Sequence, residues 1–232
     1  MSNFYVVIPA AGIGKRMQSQ MPKQYLPLDN GRTILDQVIK TFIEIDKITG
    51  IVIAINPDDK MFQESNYYNH SKIIAIVTGG SERINSVSNA IDQLKKHAND
   101  DDWIMVHDAV RPCVRKLDIT NAIKDIEKNH HGGLLAIPII DTVKRAHKGF
   151  TNNTIDRDSL WRAATPQIYQ LKELQNALQR ADKDNAVFTD ESSMIENYGG
   201  NSKIFTCSES NIKVTTPDDI HLANYFLNKY ES

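Results

Sequence analysis

The stretch that decides the fold is Phe4–Leu28, FYVVIPAAGIGKRMQSQMPKQYLPL. An apolar run from Phe4 to Ile8 stops at Pro9, and a turn of mostly small residues, Ala10 to Gly14, follows. Lys15, Arg16 and Lys23 come next. A strand that empties into small residues lets backbone N–H groups approach an anion closely. Two common phosphate loops share that logic, and neither is present. A Walker loop needs a glycine five residues before the Gly-Lys pair and a hydroxyl after it. Pro9 and Arg16 occupy those positions. A dinucleotide fingerprint needs a third glycine where Met17 stands, and an acid at the end of the second strand, which reads Ile55-Asn56.

Beyond this stretch, short apolar runs alternate with helical periodicity. Strands are expected at Tyr5–Ile8, Ile51–Ile55, Ile73–Val77, Trp103–Val106 and Leu134–Ile139, several of them rich in Val and Ile as buried parallel strands are. Ile34, Leu35, Val38, Ile39, Phe42 and Ile43 share one helical face, opened by a capping box from Thr33 to Asp36. Ile84, Val87, Ile91 and Leu94 mark a second helix, and Leu117 to Glu127 a third. This alternation predicts an α/β fold with a mostly parallel sheet covered by helices on both faces. After Pro138 the pattern changes to turn signals flanked by β-prone residues, which predicts an extended arm over 138–162 that needs a surface to pack on. Helices follow at Leu171–Ala181 and Glu191–Tyr198, the latter stopped by Gly199-Gly200. Strands are expected near Ile204 and Ile212, and a last helix opens at Thr216-Pro217-Asp218-Asp219. Residues 1–232 read as a single domain carrying that arm.

Composition narrows the function classes. The formal net charge is -2, so any anion site must come from locally focused cations, and no nucleic-acid partner is implied. No apolar run approaches the roughly 18–20 residues that cross a bilayer, and the N-terminal run is too short for a secretory signal. The two cysteines, Cys113 and Cys207, have no metal-ligand spacing. A cytoplasmic protein is expected.

Two further segments join the first loop. TGGSERINS places glycines directly after a strand, with Ser86 in the first helical turn, and VHDAVRP places Asp108 and Arg111 beyond another strand. In an open α/β sheet, ligands sit beyond the carboxyl ends of the strands, so three polar loops are expected to share one crevice. Taken singly, Asp108 is an ordinary turn residue and Arg111 an ordinary surface cation. His107 ends a buried strand and reads as a packed core residue.

The ordered segments PAAGIGKRM, PKQY, GGSERINS, HDAVRP, DTVKR, DR…LW, TPQ, TDE and NIKVT resemble the successive motifs of the 2-C-methyl-D-erythritol 4-phosphate cytidylyltransferases, from Tyr5 to about Asp219. The resemblance implies a Rossmann-like nucleotidyltransferase fold and a homodimer in which each subunit's β-arm reaches the partner's site. It also implies a reaction of CTP with methylerythritol phosphate in the non-mevalonate isoprenoid pathway, with Mg²⁺ held mainly by the CTP phosphates. No protein metal ligand is singled out. By the same resemblance, Arg16 and Lys23 stabilise the transition state, while Arg157 and Lys213 hold the incoming phosphate. Ala10, Ala11, Gly12, Arg16, Lys23, Gly80, Ser86, Asp108 and Ala109 contact CTP. Asp108, Arg111, Thr142, Arg157, Thr165, Thr189 and Lys213 contact the acceptor, with Thr142 and Arg157 serving the partner's site. Lys15 is assigned a solvated or structural role. The chain departs from the family pattern at Ser81, often acidic, and at Val110, often alanine.

A phosphate monoester with a charge of about -1.5 to -2 arrives as its own nucleophile and needs little general-base help. Catalysis should then be positioning plus cation stabilisation. A ribitol 5-phosphate or other polyol-phosphate cytidylyltransferase is the alternative. A silent nucleotide-binding subunit would be expected to lose some of the four cations, and all four are present.

Overall fold

The computed structural model describes residues 2–12, 21–184 and 186–231. In chain order the elements are β1 (Phe4–Pro9), α1 (Ile34–Ile43), β2 (Ile48–Ile55), β3 (Ile73–Thr78), α2 (Arg83–Leu94), β4 (Trp103–Val106) and α3 (Lys116–Asn129). There follow β5 (Gly133–Pro138), β6 (Val143–His147), β7 (Phe150–Ile155), β8 (Trp161–Gln170), α4 (Leu171–Asp184), α5 (Glu191–Asn197), β9 (Lys203–Thr206) and α6 (Pro217–Glu231). One sheet of seven strands has the order β3-β2-β1-β4-β8-β5-β9, and β6 and β7 form a separate two-stranded sheet.

The side-chain alternation of β1 explains the layers. Phe4, Val6 and Ile8 face one way and pack with Leu35, Val38, Ile39 and Phe42 of α1 and Ile119, Ile123 and Ile126 of α3. Tyr5 and Val7 face the other way and meet Val87, Ile91 and Leu94 of α2 and Leu174 and Leu178 of α4. A strand buried on both faces has to be apolar at every position, which is why Phe4–Ile8 reads as a continuous run. Among the described residues, no helix is long and apolar enough to cross a membrane.

The five expected strands are all present, and β1, β2, β3 and β4 pair in parallel. Thr33 caps α1 by accepting from the Asp36 N–H at 3.0 Å, and the Asp36 carboxylate accepts from Ser65 Oγ rather than closing the expected box. At α6 the return bond does form: Asp219 Oδ2 accepts from the Thr216 N–H at 2.8 Å.

Two expectations are corrected. No strand was foreseen at 161–170, yet β8 lies between β4 and β5, antiparallel to both. Pro166 argues against a strand in sequence, and it is tolerated because the register shifts between Leu134 and Ala136, opposite the residues just before Gln167. The strand expected near Ile212 does not form. Residues 211–215 have no strand pairing; Val214 N–H donates to the Val110 carbonyl at 2.8 Å, and the segment runs over the strand ends.

Candidate active site

The chain leaves β1 for β2 and β3 on one side, then returns to place β4 on the other side of β1. Such a switch point opens a crevice between the loops that follow the two inner strands. A cavity of ≈ 360 Å³ lies there, lined by Ala10, Ala11 and Gly12 after β1, Gly80 to Arg83 and Ser86 after β3, Asp108 to Val110 after β4, and Lys23 and Lys213. A second cavity of ≈ 140 Å³ adjoins it, lined by Arg111, Thr165, Gln167, Thr189 and Asp190. Arg83, Asp108 and Lys213 line both. Larger hollows, of ≈ 630 Å³ between α2 and α4 and of ≈ 550 Å³ beside α1 and α6, collect none of the expected site residues.

Short contacts hold the loops in register. Gln24 Nε2 donates to the Ala10 carbonyl at 2.7 Å, tying the Lys23 turn to the β1 loop. The Gly80 N–H donates to Ser86 Oγ at 3.0 Å, and the Gly79 N–H to the Ile55 carbonyl at 2.7 Å. A Cβ on Gly79 would stand 2.3 Å from Ala11 Cβ and 2.8 Å from Ser86 Oγ, so only glycine lets the two loops meet. Ser81 Oγ bonds Asn85 Oδ1 at the start of α2, and Val110 packs with Leu28, Ile34 and Val214. Both departures from the family pattern are thus accommodated locally.

Asp108 is the electrostatic hub. Its carboxylate meets Arg83 Nε at 3.0 Å, Arg111 Nε at 3.2 Å and Lys213 Nζ at 3.0 Å. Burial alone would raise its pKa, but the charges of Arg83, Lys213 and Arg111 override this and hold the carboxyl far below the usual carboxylate range. Arg111 also donates to the Asn211 carbonyl at 2.9 Å, anchoring the segment that carries Lys213. Lys23 Nζ lies 3.5 Å from the Val214 carbonyl, beside the same segment.

His107 is fully buried, edge-on to Phe42. The Arg111 carbonyl, 3.2 Å from Nε2, can only accept, so Nε2 carries the proton. Nδ1 therefore accepts from Thr165 Oγ1 at 3.0 Å, and that oxygen in turn accepts from the Asp108 N–H. Burial pushes the imidazole pKa down to about 4, against the raising effect of Asp108. His107 is a neutral strut, as expected from its place in the sequence. The hydroxyl proton of Thr165 is spent on it, leaving that oxygen only as an acceptor towards a ligand.

Ala10, Ala11, Gly12, Lys23, Gly80, Ser86, Asp108, Ala109 and Lys213 therefore converge on the larger cavity, and Arg111, Thr165 and Thr189 on the smaller. Thr142 and Arg157 line neither. Arg157 donates to the Ile140 carbonyl at the base of the β6–β7 arm. Arg16, with Gly14, Lys15 and Met17, lies outside the described residues. Sequence reasoning missed Arg83 and Glu191. Arg83 Nη1 and Nη2 hold the Glu191 carboxylate at 2.6 and 3.0 Å, while Nε holds Asp108. The signal was available as an arginine in the first turn of α2, within GGSERINS, but its partners are 25 and 108 residues away.

The family model for IspD, 2-C-methyl-D-erythritol 4-phosphate cytidylyltransferase, matches residues 4–229. A protein of that name from Ruthia magnifica is 48% identical over 99% of both chains, and one from Wigglesworthia glossinidia is 43% identical over 96% of this chain and 95% of its own. Among solved structures, the enzyme of that name from Francisella tularensis superposes with a TM-score of 0.84 at 41% identity, over 97% of this chain and 100% of the other. The chain belongs to the IspD family of 2-C-methyl-D-erythritol 4-phosphate cytidylyltransferases, which are nucleotidyltransferases.

Proposed function

We propose that the chain transfers the cytidylyl group of CTP to 2-C-methyl-D-erythritol 4-phosphate, in the crevice formed by the two adjoining cavities. An oxygen of the acceptor phosphate attacks the α-phosphorus in line. The new O–P bond forms as the bond to the β-phosphate oxygen breaks, and pyrophosphate carries off the electron pair. The observation that carries this reading is the shared wall of Arg83, Asp108 and Lys213. The larger cavity, with its backbone-lined turns, suits the nucleotide. The smaller, with Arg111, Thr165 and Thr189, suits a phosphorylated polyol.

Lys213 faces both cavities, and its ammonium sits where two anions must approach. Lys23 and Arg16 are assigned to charge on the triphosphate, and Arg157 to the incoming phosphate. Asp108, with both oxygens already on cations, orients Lys213 and Arg111 and accepts bonds from acceptor hydroxyls. No general base is assigned, since both ring nitrogens of His107 are engaged and a phosphate needs none. Among the described residues no three His, Cys, Asp or Glu side chains gather to hold a metal. Mg²⁺ would arrive on CTP, held by phosphate oxygens and water.

The β6–β7 arm supports a homodimer with arm exchange. Its strands are largely exposed, Phe150 is 79% exposed, and a lone two-stranded hairpin is marginal in water. Thr142 and Arg157, which line neither of their own chain's two cavities, would then serve the partner's site. We place the enzyme in the cytoplasm, where CTP is supplied.

The test is pyrophosphate release with CTP, Mg²⁺ and methylerythritol phosphate, compared with ribitol 5-phosphate as acceptor and ATP as donor. Turnover is expected with the first combination. Turnover with ribitol 5-phosphate instead would reassign the acceptor.

A further inference from the structure

We propose that the Arg83–Glu191 ion pair is a positioning device through which the nucleotide and acceptor halves of the site support one another. The inference rests on assigning the larger cavity to CTP and the smaller to the acceptor.

Arg83 opens α2, the helix whose first turn also carries Ser86 and closes the Gly80 loop. Glu191 opens α5, directly after Thr189 and the N-cap Asp190. One guanidinium spans the two helix starts: two of its nitrogens grip Glu191 and the third grips Asp108. This two-pronged pairing fixes orientation as well as charge, which a single lysine contact could not. Glu191 is buried and lines neither cavity, and Arg83 is the side chain that ties its carboxylate to the wall the two cavities share. The start of α5 is itself pinned to β8, where Gln167 donates to Asp190 Oδ2 at 2.9 Å and accepts from the Ser192 N–H at 2.8 Å.

The consequence is a shared geometry for Asp108. Arg83 takes Oδ1, while Arg111 and Lys213 share Oδ2. Loss of the Glu191 charge leaves Arg83 with one carboxylate instead of two, and the carboxylate of Asp108 with a less constrained partner. Lys213 and Arg111, both oriented by Asp108, then lose their common reference. A nucleotide that settles the Gly80–Ser86 turn fixes the start of α2, hence Arg83, hence the wall of the acceptor cavity. This is a coupling between two sites through one packed element.

The experiment compares wild type, Glu191→Gln, Arg83→Gln and the double variant. Thermal midpoints, the Kd of CTP alone by calorimetry, and kcat and KM for methylerythritol phosphate at saturating CTP are measured. Glu191→Gln is expected to raise the acceptor KM about tenfold, within the usual range of site-to-site coupling, while leaving the Kd of CTP alone within about twofold. The double variant should be no worse for the acceptor than the poorer single variant, because both break one link. Effects that add independently, or a lowered thermal midpoint with an unchanged acceptor KM, would overturn the proposal. If the Gln variants do not fold, Arg83→Lys keeps the charge without the fork, and a wild-type acceptor KM in that variant overturns it equally. Thr189→Val separates the two layers of inference. An unchanged acceptor KM in that variant refutes the cavity assignment, whereas a raised one beside an unaffected Glu191→Gln refutes only the link.

Discussion

Lys213→Ala is the most informative single change, because the structure separates its effect on catalysis from its effect on stability. The ammonium is 3.0 Å from Asp108 Oδ2 and lines both cavities, with 41% of the side chain exposed. A cation about 4 Å from a phosphoryl oxygen, at an effective dielectric constant of about 20, contributes about 4 kcal/mol. Solvent on the exposed side reduces this, so about 3 kcal/mol is expected to be lost at the transition state. At about 1.36 kcal/mol per decade, that is a fall in turnover of 10²-fold or more. The cost in stability should be small. An ion pair this exposed contributes about 0–1 kcal/mol, and Asp108 keeps Arg83 and Arg111. For a domain of this size, 1 kcal/mol moves the thermal midpoint by about 2–4 °C. The assay is steady-state pyrophosphate release, with a melting curve on the same sample. Activity within about threefold of wild type in a folded variant would refute the electrostatic role. A collapse of the midpoint by 10 °C or more would refute the claim that Lys213 is structurally dispensable.

Arg16→Ala should likewise lower turnover by about 10²-fold or more, the loss typical of a removed transition-state donor; an unimpaired rate would remove it from the mechanism. Stability should depend on pH through His107. Its folded pKa of about 4 lies below the unfolded value of about 6.5, so the unfolded chain takes up the proton first as pH falls. About 3 kcal/mol should be lost between pH 6.5 and 4, and urea midpoints of His107→Gln that kept the same slope over that window would disprove the assignment. Gly79→Ala forces a Cβ within 2.3 Å of Ala11, so the KM for CTP should rise about tenfold or more while the acceptor KM changes less; an unchanged KM for CTP would show that the loops have room. For the arm, mixing Arg157→Ala and Lys23→Ala proteins should restore partial activity if sites are shared between subunits. Heterodimers that form without any rescue would count against exchange.

Much of the architecture was legible in the chain. Strands buried on both faces must be apolar at every position, so β1, β2 and β4 appear as continuous apolar runs, and amphipathic helices appear by period. The three glycine- or aspartate-bearing loops were legible for the same local reason, since each follows a strand end directly. β8 was hidden because its first residues are exposed and Pro166 interrupts it, and only pairing with β4 and β5 makes it a strand. The opposite error at Ile212 has the same origin. Alternating apolar residues there meet no strand partner, and a strand needs one.

The candidate site divides along the same line. Sequence by itself determined which loops carry small residues and which carry charge, because backbone approach and phosphate chemistry demand particular residue types at particular local spacings. It also carried the family membership, whose ordered motifs run through most of the chain. Only the tertiary structure decided that Asp108 faces three cations, that Thr165 spends its proton on His107, and that Arg83 bridges to Glu191. Those pairings join residues up to 108 positions apart. Charge complementarity depends on distances of a few ångströms, and such distances between remote residues exist only once the strands have brought their carboxyl ends together.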